Sequence, residues 1–125
     1  MCNRRDAKLL IVWDSKTGNV ERFINKLSVS NIRIHSELIV DEPFALVTYT
    51  TKFGEVPGTT LQFLKSNYMN LKGVASSGNK AWGNYYGMAA SKIAEMYSVP
   101  IVLKFELSGT KSDVELFLME AKKIV

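Results

Sequence analysis

The segment Phe44-Ala45-Leu46-Val47-Thr48-Tyr49 is apolar at its first four positions without alternation. Successive side chains of an extended segment point to opposite faces, so a run apolar on both must be covered on both. It therefore reads as the central strand of a sheet with helices on each side. The flanking segments agree. Residues 8–13, 71–76 and 100–105 are further apolar strands, and Ile32-Arg33-Ile34 is a short alternating edge strand reached before a polar connection that ends at Pro43. Apolar residues recur at helical spacing between them. Val20, Phe23, Ile24 and Leu27 mark one helix. Leu61, Leu64 and Tyr68 mark a second, over residues 60–69. Ile93, Met96 and Tyr97 face inward from a third, over 87–97, and Val114, Phe117, Leu118, Ala121 and Val125 from a fourth, over 112–125.

Strands alternating with helices predict an α/β fold, a doubly wound five-stranded parallel sheet of order 2-1-3-4-5 with helices on both faces. In that order the winding reverses between the first and third strands, and the ligand crevice lies at their carboxyl ends. The 125 residues read as a single domain, residues 1–125, with 1–7 a frayed N-terminal extension.

Composition removes several classes of function. No apolar run approaches the roughly 20 residues needed to cross a bilayer. The start, Met1-Cys2-Asn3-Arg4-Arg5-Asp6, lacks the apolar stretch of a secretory signal, so no membrane contact and a cytoplasmic location are expected. One cysteine and one histidine argue against a disulfide, a protein-held metal and any Ser–His–Asp or Cys–His pair. No catalytic residue is assigned, and His35 reads as a solvated surface group. The net charge is +4, with lysines spread along the chain rather than gathered in a stripe, which weighs against nucleic acid.

Three loops carry the chemistry. After the first strand comes Asp14-Ser15-Lys16-Thr17-Gly18-Asn19-Val20, in which hydroxyls, an amide and a glycine precede a helix. That arrangement suits one terminal phosphate. It is neither a dinucleotide fingerprint nor a Walker loop, since G-x-G-x-x-G and Gly-Lys-Ser/Thr are both absent. The loops after the third and fourth strands, residues 48–57 and 76–87, set Tyr49, Phe53, Trp82, Tyr85 and Tyr86 among glycines and polar residues. Aromatic rings beside a phosphate cradle suit a flat ligand, with Gly54, Gly78 and Gly83 allowing backbone groups to reach its polar edge. A phosphate at one end and a planar heterocycle at the other describe flavin mononucleotide (FMN).

Residues 15–23, Ser-Lys-Thr-Gly-Asn-Val-Glu-Arg-Phe, resemble the phosphate loop of flavodoxins. Residues 48–57, 75–83 (Ala-Ser-Ser-Gly-Asn-Lys-Ala-Trp-Gly) and 104–110 (Lys-Phe-Glu-Leu-Ser-Gly-Thr) resemble the NrdI family, small flavodoxin-like proteins serving class Ib ribonucleotide reductase. The resemblance runs from about Leu9 to Val125. It implies FMN held through its phosphate by Ser15, Lys16, Thr17, Gly18 and Asn19, with Val20 also at the cofactor, standing without a hydroxyl where flavodoxins commonly place Thr. It places the ring near Tyr49, Thr50, Thr51, Phe53 and Gly54 on one side, and Ser77, Gly78, Asn79, Trp82 and Gly83 on the other. It further implies that the reduced protein reacts with O2 and supplies the oxidant for the dimanganese-tyrosyl radical cofactor of the reductase small subunit. An electron-donor reductase would serve it, and the metal would belong to the partner.

Lys16, Lys52, Lys80 and Lys111 lie in or beside these loops. Positive charge there should favour the two-electron-reduced, anionic flavin, unlike the acidic surroundings in electron-carrying flavodoxins. The Phe53–Gly54 peptide is expected to flip on reduction, because glycine tolerates positive φ. Glu106, Ser108, Gly109 and Thr110 read as shaping the rim. The alternative function is an electron-transfer flavodoxin feeding another reductase. A phosphoacceptor receiver domain would need an aspartate ending the third strand, where Thr48-Tyr49-Thr50 stands. A non-redox phosphate-binding module would be colourless and reject FMN.

Overall fold

A computed structural model describes residues 9–51 and 54–124, with only the backbone of Trp82 and Asn84. The expected N-terminal extension, Lys52, Phe53 and Val125 lie outside the described residues. The elements are β1 (Ile11–Trp13), α1 (Asn19–Asn25), β2 (Asn31–Arg33), β3 (Phe44–Tyr49), α2 (Gly58–Asn67), β4 (Leu71–Gly78), α3 (Met88–Tyr97), β5 (Ile101–Glu106) and α4 (Lys111–Ile124). All strand pairs are parallel and the order is β2-β1-β3-β4-β5, as expected.

Strand alternation divides the core into two layers. Ile11, Trp13, Ala45 and Val47 face α1 and α4, where Phe23 stacks on Phe105 at 4.0 Å and meets Phe117 edge-on at 5.5 Å. Leu10, Val12, Phe44, Leu46 and Val74 face α2 and α3, where Phe63, Leu64 and Ile93 cover them. Residues 44–48 of β3 are fully buried, which is the double burial its composition demands.

Four departures have physical causes. β4 runs two residues further than expected, because Ser77 and Gly78 stay paired with Phe105 and Glu106. α2 begins earlier, directly after Pro57, and ends at Asn67, whose side chain accepts from Val40 N–H at 2.7 Å and donates to Leu38 O at 3.1 Å. Tyr68 thereby turns outward and stacks on Tyr97. Met96 is 55% exposed instead of facing inward. The buried residues of α3, Ala89, Ala90 and Ile93, all lie in its first two turns, and Met96 stands beyond them in the last turn. β2 is exposed along its whole length, since residues 34–43 form no helix over it and its alternation has nothing to bury against.

Candidate functional site

The ends of β1, β3, β4 and β5 meet at one edge of the sheet. There they enclose a cleft of about 370 Å³ lined by Ser15, Lys16, Thr17, Asn19, Val20, Tyr49, Thr50, Thr51, Ser77, Gly78, Asn79 and Leu107. It lies at the switch point between β1 and β3, where chains wound in opposite directions part.

The β1–α1 loop forms one wall. Asp14 N–H donates to Val47 O at 3.0 Å, which anchors the loop on β3. Ser15 is buried, and its hydroxyl accepts from Glu21 N–H at 3.4 Å. Gly18 turns the chain into α1 with φ +93°, a left-handed conformation that side chains resist. Lys16 and Thr17 remain exposed.

Thr50 and Ser77 form the floor, and their polar atoms are already committed. Thr50 N–H donates to Ser77 O at 3.0 Å, and its hydroxyl accepts from Ala89 N–H at 3.2 Å in the first turn of α3. The Ser77 hydroxyl donates to Leu107 O at 2.6 Å, while Leu107 N–H donates to Gly78 O at 2.9 Å. Both ends of Leu107 are thus tied to β4, which holds this exposed residue at φ +54°. A Cβ on Gly78 would lie 2.8 Å from the backbone nitrogen of Gly87, so this close approach admits only glycine.

The expected residues divide accordingly. Those named for the phosphate, apart from Gly18, line one cleft together with Tyr49, Thr50, Thr51, Ser77, Gly78 and Asn79. Gly18 shapes the wall without lining it. Gly54 sits in a tight turn closed by paired bonds between Thr51 and Glu55, at φ +81° and packed against Met88 and Tyr85. Gly83 is exposed with open space around it. Phe53 and the Trp82 side chain lie outside the described structure. Tyr86 packs behind Gly78. Its phenol is held above the usual tyrosine range, by burial first and then by the charges of Asp113 and Glu106.

Leu107 escaped sequence reasoning, because an apolar residue ending a strand gives no sign that the backbone will turn it toward a cleft. Asp14 escaped as well. It is buried, and its carboxylate accepts from the hydroxyls of Thr59 and, at 2.8 Å, Thr60, whose oxygen also meets Thr48 Oγ1 at 2.8 Å. Two threonines opening α2 were the available signal.

A second cleft, of about 650 Å³, opens beyond Tyr49 between residues 33–39 and α2; Arg33, His35, Glu37, Ile39, Gln62 and Ser66 are among its lining. Ser15, Lys16 and Tyr49 belong to both clefts. Burial, and secondarily the Asp14 charge, push the Tyr49 phenol above its ordinary range, against the opposing effects of the Thr59 bond and Arg33. Arg33 lies over the Trp13 ring at 5.1 Å and donates to Ser15 O at 2.9 Å.

Of the lysines near the loops, Lys16 lines the smaller cleft, whose described lining holds no carboxylate. Lys80 and Lys111 are exposed, and Lys52 lies outside the described residues. Among the described residues no group of three or more His, Cys, Asp or Glu side chains could hold a metal, and no helix is long and apolar enough to cross a membrane.

The sequence profile of the NrdI flavodoxin-like family matches residues 11–119. The chain is 55% identical over 116 residues to protein NrdI of Bacillus licheniformis, covering 92% of this chain and 88% of that one. It is 44% identical over 118 residues to the SPbeta prophage-derived protein NrdI of Bacillus subtilis, covering 91% and 92%. Among solved structures, a short-chain flavodoxin associated with a non-canonical PDU bacterial microcompartment superposes with a TM-score of 0.71 at 20% identity, covering 94% and 95%. The Fusobacterium nucleatum flavodoxin bound to flavin mononucleotide gives 0.63 at 13%, covering 94% and 96%. These two likenesses establish the fold.

Proposed function

The chain belongs to the NrdI flavodoxin-like family, and from that premise we propose that it is an FMN accessory protein of class Ib ribonucleotide reductase. In this reading the reduced protein reacts with O2 and supplies the oxidant from which the dimanganese small subunit forms its tyrosyl radical. The observation that carries it is the cleft at the β1–β3 switch point, which gathers the hydroxyl-bearing β1–α1 loop and the ends of β3 and β4.

The residues present fit the cofactor. Ser15, Thr17 and Asn19 offer hydroxyl and amide groups, and Lys16 a charge, where a phosphate would lie. Thr50, Thr51, Ser77, Gly78 and Asn79 form the remainder of the cleft, and the missing side chain of Gly78 keeps its floor low. Bound FMN supplies two-electron chemistry toward O2. The chain's own part is to bind and orient the cofactor and to set its electrostatics. Lys16 adds positive charge to a cleft whose described lining holds no carboxylate, which favours an anionic over a neutral flavin. We assign Phe53, Gly54, Trp82 and Gly83 to the loops bordering the ring, with the Phe53–Gly54 peptide as the group that reorients on reduction.

The test is reconstitution. The FMN-loaded protein is reduced anaerobically, mixed with the dimanganese(II) small subunit and exposed to O2, and the tyrosyl radical is counted by electron paramagnetic resonance. Radical that forms only with the reduced protein supports the assignment. Equal radical yield without it, or a one-electron-reduced flavin dominating a wide span of potential during titration, points to an electron carrier instead.

A further inference from the structure

Asn19 and Asn79 are the cleft residues whose amides can face either way, and for Asn19 the structure fixes the direction across the fold. Its Oδ1 accepts from Arg22 Nη2 at 2.6 Å and from the Ser108 hydroxyl at 3.0 Å. Arg22 Nε in turn donates to Ser108 Oγ at 2.9 Å, closing a three-membered network between α1 and the β5–α4 loop. A guanidinium has donors only. A flipped amide would set its NH2 against Arg22, so the carbonyl end must face the network. The Nδ2 end then faces the β1–α1 loop, where it lies 3.5 Å from Thr17 Oγ1. Arg22 does not line the cleft, although its guanidinium stands about 3.0 Å from where a Cβ of Gly18 would be.

We propose that Arg22 and Ser108 are positioning residues that aim the Asn19 amide NH2 into the phosphate subsite, and so set the preference for a phosphorylated flavin over an unphosphorylated one. The inference rests on the FMN reading above and adds how the phosphate is discriminated. A donor whose acceptor end is already bonded cannot turn away, so it meets an anion without reorganising. An amide free to rotate would offer the anion its carbonyl oxygen part of the time. The β5–α4 loop, remote in sequence from the phosphate loop, thereby takes part in binding the phosphate.

A built-in control separates this role from a merely structural one. Lys26 Nζ also ties α1 to the same loop, donating to Gly109 O at 3.0 Å and Ser108 O at 3.3 Å, and neither bond involves Asn19. Loss of Lys26 therefore removes a positive charge and two bonds to the loop backbone while leaving both donors to Asn19 Oδ1, Arg22 and the Ser108 hydroxyl, in the chain.

The experiment titrates full-length apoprotein with FMN and with riboflavin, reading flavin fluorescence, for the wild type, Arg22→Leu, Ser108→Ala and Lys26→Ala. The readout is the ratio of the riboflavin to the FMN dissociation constant. Arg22→Leu should lower that ratio about tenfold and Ser108→Ala, which alters no charge, about threefold. Lys26→Ala should leave it within about twofold. If Arg22→Leu compromises folding, Ser108→Ala carries the same test. A ratio unchanged in Arg22→Leu and Ser108→Ala, or FMN and riboflavin weakened together, overturns the positioning role while leaving FMN binding in place. A wild type that binds both flavins equally removes the phosphate subsite itself, and with it this proposal.

Discussion

Two clefts open on either side of Tyr49, and they were made in different ways. The smaller, at about 370 Å³, forms where four strand ends converge, and its walls are fastened atom by atom: Thr50 to Ala89, Ser77 to Leu107, Leu107 to Gly78. The larger, at about 650 Å³, is the space beside an uncovered edge strand, where residues 34–43 run past β2 without forming a helix. Size alone would select the second. The first has residues held where their packing alone does not demand it, with Leu107 at positive φ and Gly78 pressed on Gly87. Bonds from both ends of Leu107 to β4 maintain its positive φ at the edge of this cleft.

That contrast breaks most sharply at Gly78. Gly78→Val forces apart the β4 end and the backbone at Gly87, and overpacking of this kind costs about 1–3 kcal/mol. FMN affinity should fall about a hundredfold by fluorescence titration, with a lower apoprotein melting temperature. Asn19→Asp keeps the acceptor that Arg22 and Ser108 require but removes the donor and adds a negative charge. It should weaken FMN about thirtyfold, leaving riboflavin nearly untouched in the same titration. Asp14→Ala strips the acceptor from Thr59 and Thr60 in the wall between the clefts, and should cost about 1–3 kcal/mol in urea unfolding of the apoprotein. Filling the larger cleft with Ser66→Trp should change FMN affinity by less than about twofold. A large loss there would move the site across Tyr49.

The smallest effect concerns Tyr49 itself. Its folded-state pKa lies above the ordinary value of 10.0, so the unfolded chain releases this proton first as pH rises. The stability it contributes is complete below about pH 10 and is lost as pH climbs through the raised folded value. Tyr49→Phe should make the alkaline decline in apoprotein stability shallower, and should remove one late-titrating phenol from the ultraviolet absorbance titration.

Much of the smaller cleft was legible in the chain because its residues are contiguous. The loop from Ser15 to Val20 carries its chemistry within a few positions, and the order of apolar runs places it beside the ends of β3 and β4. Strand identity was equally readable where composition left one option, as in β3. What stayed hidden depends on contacts across the fold. Leu107 is turned by bonds to Ser77 and Gly78, the Asn19 amide by Arg22 and Ser108, and Tyr68 is turned out because Asn67 holds the 34–43 segment. The larger cleft exists because a covering helix is missing, and a polar stretch ending in Pro43 does not say what its absence uncovers.

The claim that the smaller cleft is the flavin site is tested most directly by following the backbone amide resonances of isotope-labelled apoprotein as FMN is added. The account predicts that shifts concentrate at residues 15–20, 49–51 and 77–79 and at Leu107, with residues 34–39 and the exposed side of α2 left in place. Shifts centred on 34–39 and 62–67, with the β1–α1 loop undisturbed, would contradict it.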